Sequence, residues 1–191
     1  MLKMDSFRNR LMVLFAGLAF TLGLCITLYI GKTASAQMSK SSGQTLYIAA
    51  KSISNTLANS LTEREREMVL LSQSPFIAEA DFNNPRVQQQ LDQVKKSYQY
   101  YAWLGIANPE GKVEVAANHL LQGADVSERD WFIHGSKRVY LGDVHKAVLL
   151  AKKIKAINPN EPMRFIDFAT PIYDPTTHKI NGVLAAHADW S

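Results

Sequence analysis

The sequence predicts an α+β fold, with helices first and then an antiparallel sheet that helices flank. Three observations carry this. Residues 11–30 form a run of twenty residues without a charge. A three-four apolar stripe follows it as far as Pro75. Beyond Tyr101 the apolar residues fall into short strand-like runs with turn residues between them. Helical patterns grouped ahead of strand patterns belong to α+β domains.

A length of 191 residues holds one ordinary domain plus an anchor. A hydrophobic content of 47% is enough for a core. The net charge of +4 is mild and scattered. Lys152, Lys153 and Lys155 cluster, but no aromatics interleave with them, so no nucleic-acid partner is expected. One cysteine, Cys25, excludes an intrachain disulfide framework and a multi-cysteine metal site. Leu24 stands before it where a lipidation site would have a small residue, so Cys25 reads as lipid-facing or as packing.

Residues 1–10 carry Lys3, Arg8 and Arg10 against Asp5 and read as a cytoplasmic tail. Residues 11–30 would span about 30 Å as a helix, the thickness of the hydrocarbon core. They read as a transmembrane anchor with Tyr29 near the outer interface. The basic flank favours an inside N-terminus, although Lys32 and Lys40 follow the span. A cleaved signal peptide is the competing reading, with Ala34-Ser35-Ala36 as its cleavage site. Twenty apolar residues, however, exceed the usual signal core of about 7–15.

Residues 33–74 read as a long stalk helix. Leu46, Ala50, Ile53, Leu57, Leu61, Met68 and Leu71 form its stripe, and Arg64 interrupts it. The stripe is a candidate homodimer seam. The alternating charges of residues 63–67 read as a solvated face, and Pro75 is expected to end the helix. Asn84 and Pro85 form an N-cap and first helical position. Val87, Leu91, Val94 and Tyr98 follow at helical spacing, and that helix ends before Tyr100.

Residues 101–107 read as a strand, Asn108-Pro-Glu-Gly111 as a turn, and Val113 and Val115 as half of a partner strand. Residues 146–155 fit strand or helix equally, and Asn158 to Pro162 reads as a loop. Residues 164–172 and 180–187 read as two further strands around a turn at residues 173–178.

Chemistry concentrates in residues 127–145. Ser127 and Asp130 have capping-box spacing and place the start of a short helix there. Arg129 and Phe132 then share a face. Arg129 offers a fork for a carboxylate. Trp131 and Phe132 supply an apolar wall, Tyr140 a phenol, and Asp143 a holder for an ammonium, with Gly135 and Gly142 as hinges. Such a set grips a small zwitterion. The same residues also admit a plain structural reading: Arg129 paired with Glu128 or Asp143, Trp131 as a core anchor, and Tyr140 as an edge-strand residue.

These segments together resemble the extracytoplasmic Cache sensor domains of bacterial membrane receptors, in particular the membrane-distal module of the double-Cache type. The likeness rests on the anchor and stalk, on the hairpin Tyr-Ala-Trp-Leu-Gly-Ile-Ala-Asn-Pro-Glu-Gly-Lys-Val at 101–113, and on Arg-Asp-Trp-Phe at 129–132. It continues through Tyr-Leu-Gly-Asp-Val-His at 140–145, Phe-Ala-Thr-Pro-Ile-Tyr-Asp at 168–174 and Gly-Val-Leu-Ala-Ala-His at 182–187. The resemblance implies that residues 75–191 form a PAS-like sensor module with the stalk helix packed on it. It implies a small-molecule ligand such as an amino acid, amine or organic acid. It also implies that Arg129 holds a ligand carboxylate beside Trp131 and Phe132, while Tyr140, Asp143 and Asp167 complete the site. Two features depart from the amino-acid-binding pattern: the wider Tyr-x-x-Asp spacing at 140–143, and Ala124 where a tyrosine is usual. Such receptors usually continue into a second module, a second span and an output domain such as a diguanylate cyclase, histidine kinase or chemotaxis helix. The expectation is a truncated or divided sensor, or a free-standing anchored module.

No esterase elbow, phosphate loop or dinucleotide fingerprint is present in the sequence. The five histidines are dispersed, without paired helical spacing. Neither catalysis, nor a cofactor, nor a metal is expected; a ligand-free interaction module on an anchor is the alternative. A periplasm-active reporter fused after Ser191 is expected to be active and to remain with the membrane. Activity of a cytoplasmic reporter at that position would overturn the topology, and release into the soluble periplasm would indicate cleavage after Ala36.

Overall fold

The computed structural model describes residues 7–79, 81–146, 150 and 163–190. The chain divides into two compact units, residues 1–57 and 58–191. The described part of the first unit is helix throughout, and its residues are exposed. It is long and apolar enough to cross a membrane. It belongs to α1, Phe7–Ser72, a single helix in which no break separates the expected anchor from the expected stalk. Threonines along it return their hydroxyls to carbonyls one turn back, as Thr27 does to Gly23 at 2.8 Å and Thr56 to Ser52 at 2.9 Å.

Pro75 opens the next helix; it does not close the first. α1 stops at Ser72, and Ser74 is extended (φ −62°, ψ 141°), the conformation a residue before proline favours. Pro75 is the first residue of α2, Pro75–Ala78. α3, Pro85–Ser97, starts where its sequence signals place it, and the Asn84 side chain accepts from the Arg86 amide at 3.0 Å.

Five strands follow: β1 (Tyr101–Ala107), β2 (Val113–Ala116), β3 (Tyr140–Leu141), β4 (Phe165–Tyr173) and β5 (Ile180–Asp189). A short helix, α4 (Asp130–Gly135), lies between β2 and β3. The strands make one antiparallel sheet in the order β2-β1-β5-β4-β3. β4 lies one residue later than the expected 164–172 at the same length, β5 runs two residues beyond the expected 180–187, and Pro171 lies inside β4. Pro171 pairs with Val183 of β5 beyond the two-residue reach of β3, where β4 is an edge. Residues 147–149 and 151–155 of the ambiguous segment, and the loop expected at 158–162, lie outside the described residues.

Both faces of the sheet are buried, and period two divides them. Leu104, Ile106, Ile166, Phe168, Leu184 and Ala186 face α3 and the end of α1, with Val87, Leu91 and Met68 among their partners. Trp103, Phe165, Ala169, Val183 and Ala185 face α4, with Trp131 and Phe132. Burial on both faces explains why the strands read as near-continuous apolar runs.

The charged segment of α1 is only in part a solvated face. Glu63 and Arg66 form an exposed pair at 3.4 Å. Arg64 and Glu67 turn to the sheet domain instead. Arg64 lies 4.0 Å over the Tyr100 ring, and Glu67 accepts from the hydroxyls of Tyr100 at 2.8 Å and Tyr101 at 3.1 Å. Burial first, and then the Glu67 carboxylate, push the Tyr100 phenol up to about 12. Burial, with Tyr100 and Glu67 beside it, also raises Tyr101. Both phenols are neutral in the fold and gain charge only when they titrate. Their stabilisation is therefore complete below the ordinary phenol value of about 10 and is lost as pH rises through the raised folded values. Unfolding of the detergent-solubilised chain is expected at progressively lower temperature above about pH 10. Glu67→Ala is expected to cost about 1–3 kcal/mol, since it leaves two hydroxyls without their acceptor. Denaturant unfolding of the variant checks this, and an unchanged midpoint would show that the clamp contributes nothing.

Candidate functional site

The site is built on the α4 side of the sheet by cross-strand register. Trp103 of β1 pairs with His187 of β5, and His187 pairs with Asp167 of β4. These three side chains form a row across the sheet. β3 extends the surface, because Tyr140 pairs with Ala169 and the Gly142 amide donates to the Asp167 carbonyl at 2.7 Å.

α4 covers one end of this row. The capping box expected at Ser127 does not form. Ser127 turns its amide and hydroxyl to Asp125 Oδ1, at 3.0 and 2.7 Å. Asp125 is fully exposed, and these two donors hold its carboxyl below the usual range. The helix begins at Asp130, with Arg129 as the extended residue before it (φ −83°, ψ 136°). Both glycines sit at close contacts. Gly135 is a contact point, where a Cβ would lie 2.6 Å from the Ala169 Cβ and 3.0 Å from a Val183 methyl. Its lack of a side chain seats α4 on the sheet. Gly142 lies beneath Asp167, where a Cβ would stand 3.1 Å from the Asp167 Cβ.

A cavity of about 280 Å³ opens between these elements. Trp103, Trp131, His187 and Asp167 contribute to its lining from the buried interior; Arg129, Asp143, Lys146 and His145 contribute from exposed positions. The Trp103 and Trp131 rings are 5.7 Å apart, and His187 lies 5.1 Å from the first and 6.0 Å from the second. The Trp103 indole N–H donates to the Leu120 carbonyl at 2.7 Å, which leaves its ring as wall.

Of the six residues singled out in the sequence, Arg129, Trp131, Tyr140, Asp143 and Asp167 line this one cavity. Phe132 does not. It is buried in the core beside Trp131, with the two rings edge to face at 6.1 Å. The offset follows from the helix, since neighbouring positions point about 100° apart and only one of the two faces the cavity. Arg129 pairs with neither Glu128 nor Asp143; among the described residues its guanidinium has no ion-pair or hydrogen-bond partner. Tyr140 is both an edge-strand residue and a lining residue, stacked on His134 at 5.0 Å. Burial, followed by the carboxylates of Asp130, Asp167 and Asp143, raises its phenol.

Asp167, which the resemblance adds to the site, is a buried acid. Its side chain is 8% exposed and already engaged. His187 Nδ1 is hydrogen-bonded to its Oδ1, and His145 Nε2 lies 3.5 Å from its Oδ2. The histidines are thus not all dispersed: His145 and His187 meet at Asp167, 42 positions apart in the sequence. Pairing of distant strands brings them together, and no short-range spacing signals it.

No protein-family model and no curated protein sequence matches this chain. Solved structures do. An extracellular ligand-binding receptor from Desulfohalobium retbaense superposes with a TM-score of 0.54 over 70% of this chain, at 15% identity. The chain shares the fold of part of that receptor. This is the PAS-like α+β fold that the Cache resemblance implies. The ligand-binding domain of a Campylobacter jejuni chemoreceptor, solved with 4-methylisoleucine, matches over 71% of this chain at 17% identity and a TM-score of 0.49. That of a Pseudomonas aeruginosa amino acid chemoreceptor, solved with GABA, matches over 68% at 15% identity and a TM-score of 0.48. The chain spans 23% of the first of these structures, 51% of the second and 56% of the third. What is shared with the first is a fold over part of its length.

Proposed function

We propose that this chain is a membrane-anchored extracytoplasmic sensor module whose cavity binds a small polar ligand carrying a carboxylate: an amino acid, a carboxylated amine or an organic acid. It carries out no catalysis itself. One observation bears most of the weight. Arg129 lines an aromatic-walled cavity, and its guanidinium has no partner among the described residues. A planar fork of donors without an acceptor, beside an apolar wall, suits a carboxylate. Asp143 lines the same cavity and supplies a negative group for the other end of a zwitterion. A volume of about 280 Å³ lies near the small end of ligand pockets, which run from about 300 to 1,000 Å³. A metabolite of amino-acid size suits it better than a cofactor.

The test is a thermal-shift screen of amino acids, amines and organic acids on the full chain in detergent, followed by calorimetry with the hit. A ligand that binds only the folded state must raise the melting temperature. Loss of one charged hydrogen-bond partner costs about 1.5–3 kcal/mol, so Arg129→Ala is expected to weaken binding at least tenfold. Arg129→Lys is expected to recover little, because an ammonium lacks the fork. Equal affinity in Arg129→Ala would make Arg129 a bystander. A screen without any shift would favour the ligand-free interaction module.

The same reading includes a homodimer through α1. Among the described residues nothing covers the first part of the stripe: Leu46 is 71% exposed, Ile53 70% and Leu57 43%. Further along, Leu61 and Leu71 pack on the sheet domain and Met68 is buried there. The full chain in micelles is expected to be dimeric by light scattering, and Leu46→Glu with Ile53→Glu is expected to yield monomers. A parent chain that stays monomeric at high concentration would remove the dimer from the proposal.

A further inference from the structure

We infer that His145, Asp167 and His187 form a binding site for a divalent transition metal, zinc being the best match, with a fourth coordination position open to the cavity. The site shares Asp167 with the proposed ligand site but otherwise stands on different residues, and it does not require that reading to hold.

The three groups converge by construction of the sheet. Asp167 and His187 are register partners on β4 and β5. His145 is fastened to the start of β4 by a two-way bridge, His145 N to Phe165 O and Phe165 N to His145 O, each 2.9 Å. One ligand atom from each residue lies within 4.8 Å of the others. Asp167 and His187 are buried, and the His145 side chain is 40% exposed at the rim.

The His187 Nδ1–Asp167 Oδ1 hydrogen bond holds a proton that a metal would displace on binding, while the His145 side has no such bond. His145 Nδ1 lies 3.1 Å from the Asp143 carbonyl oxygen. A carbonyl oxygen only accepts, so Nδ1 carries the proton. In the neutral ring Nε2 then presents a lone pair, and it faces Asp167 Oδ2 at 3.5 Å. A carboxylate also offers only lone pairs. Lone pair meets lone pair unless something electropositive lies between them. A proton on Nε2 would serve, but charge-assisted N–H···O bonds run at about 2.7–2.9 Å, shorter than this separation. A metal fits better. Bonds of about 2.0–2.1 Å set tetrahedral ligand atoms about 3.3 Å apart.

The donor set points to the metal. Two imidazoles and one carboxylate with a vacant position are the ligands of open zinc sites, and of non-haem iron sites. The His145 Nδ1–carbonyl bond is the outer partner that fixes the ring and frees Nε2 for coordination. Trp103 and Trp131 flank His187 and shield that side from water, while the remaining position faces the cavity. Water, or a carboxylate entering the cavity, would fill it. Of the other histidines, His119 is engaged with Gln122 and His134 stacks on Tyr140, and neither lines the cavity.

Zinc(II) itself is the probe, titrated into the full chain in detergent, without a histidine tag, in competition with a chromophoric chelator. One zinc per chain is expected, together with a rise in melting temperature. His145→Gln, at the rim, and the isosteric Asp167→Asn are each expected to weaken binding by at least about a hundredfold, beyond the range seen on loss of an outer partner. His119→Gln is expected to leave it unchanged. Melting without zinc verifies that each variant folds. Variants that bind zinc as tightly as the parent, or a parent that zinc does not stabilise, would overturn the site. Absence of zinc binding with a positive small-ligand screen would sink the metal site alone. Tight, variant-sensitive zinc binding with a negative screen would sink only the ligand reading.

Discussion

The cavity depends above all on the registration of β1, β5 and β4. Trp103, His187 and Asp167 are side-by-side partners on three neighbouring strands, and all three face α4. A slip of one residue in any of these strands would send its member of the row to the opposite face. The two apolar faces guard against that slip. Leu104, Ile106, Phe168 and Leu184 must meet α3 and α1, while Phe165, Ala169 and Val183 must meet α4. The hairpin turn pins one end of β1. The Asn108 side chain accepts from the Lys112 amide at 2.9 Å, and Gly111 takes φ +85° where a Cβ would meet Ser127 at 2.6 Å.

Much of the fold was legible in the sequence because it rests on local signals. Asn84-Pro85, the turn at residues 108–111 and the period-two runs all act within a few residues. The errors lie where the sequence spacing suggests one role or partner and the fold supplies another. Ser127 had an acidic residue three positions on, yet Asp125 is its partner. Arg64 and Glu67 sat in a charge run that looked solvated, and the tyrosines that engage them are more than thirty residues away. Pro75 marked a boundary correctly but began an element where an end was expected.

The candidate site was legible by cluster and not by geometry. Five of its six residues reach one cavity: four lie in the segment 129–143, which packs across the sheet end, and Asp167 reaches it from β4. Phe132 was misplaced because adjacent helical residues diverge, and spacing alone does not say which one points inward. His145 and His187 were invisible as a pair. Their proximity is a product of strand pairing, with no motif in the sequence to announce it. The position of Trp103, part of the same row, was hidden for the same reason.

β1 carries the Trp103 wall on one face and, two residues earlier, Tyr101 on the other. Tyr101 and its neighbour Tyr100 grasp Glu67 in the last turns of α1. Packed interiors are stiff and transmit displacement, with little slack to absorb it. The strand thus joins the cavity wall to the last turns of α1 through two phenols and one carboxylate, a single covalent segment with a ring wall at one side and an acid clamp at the other.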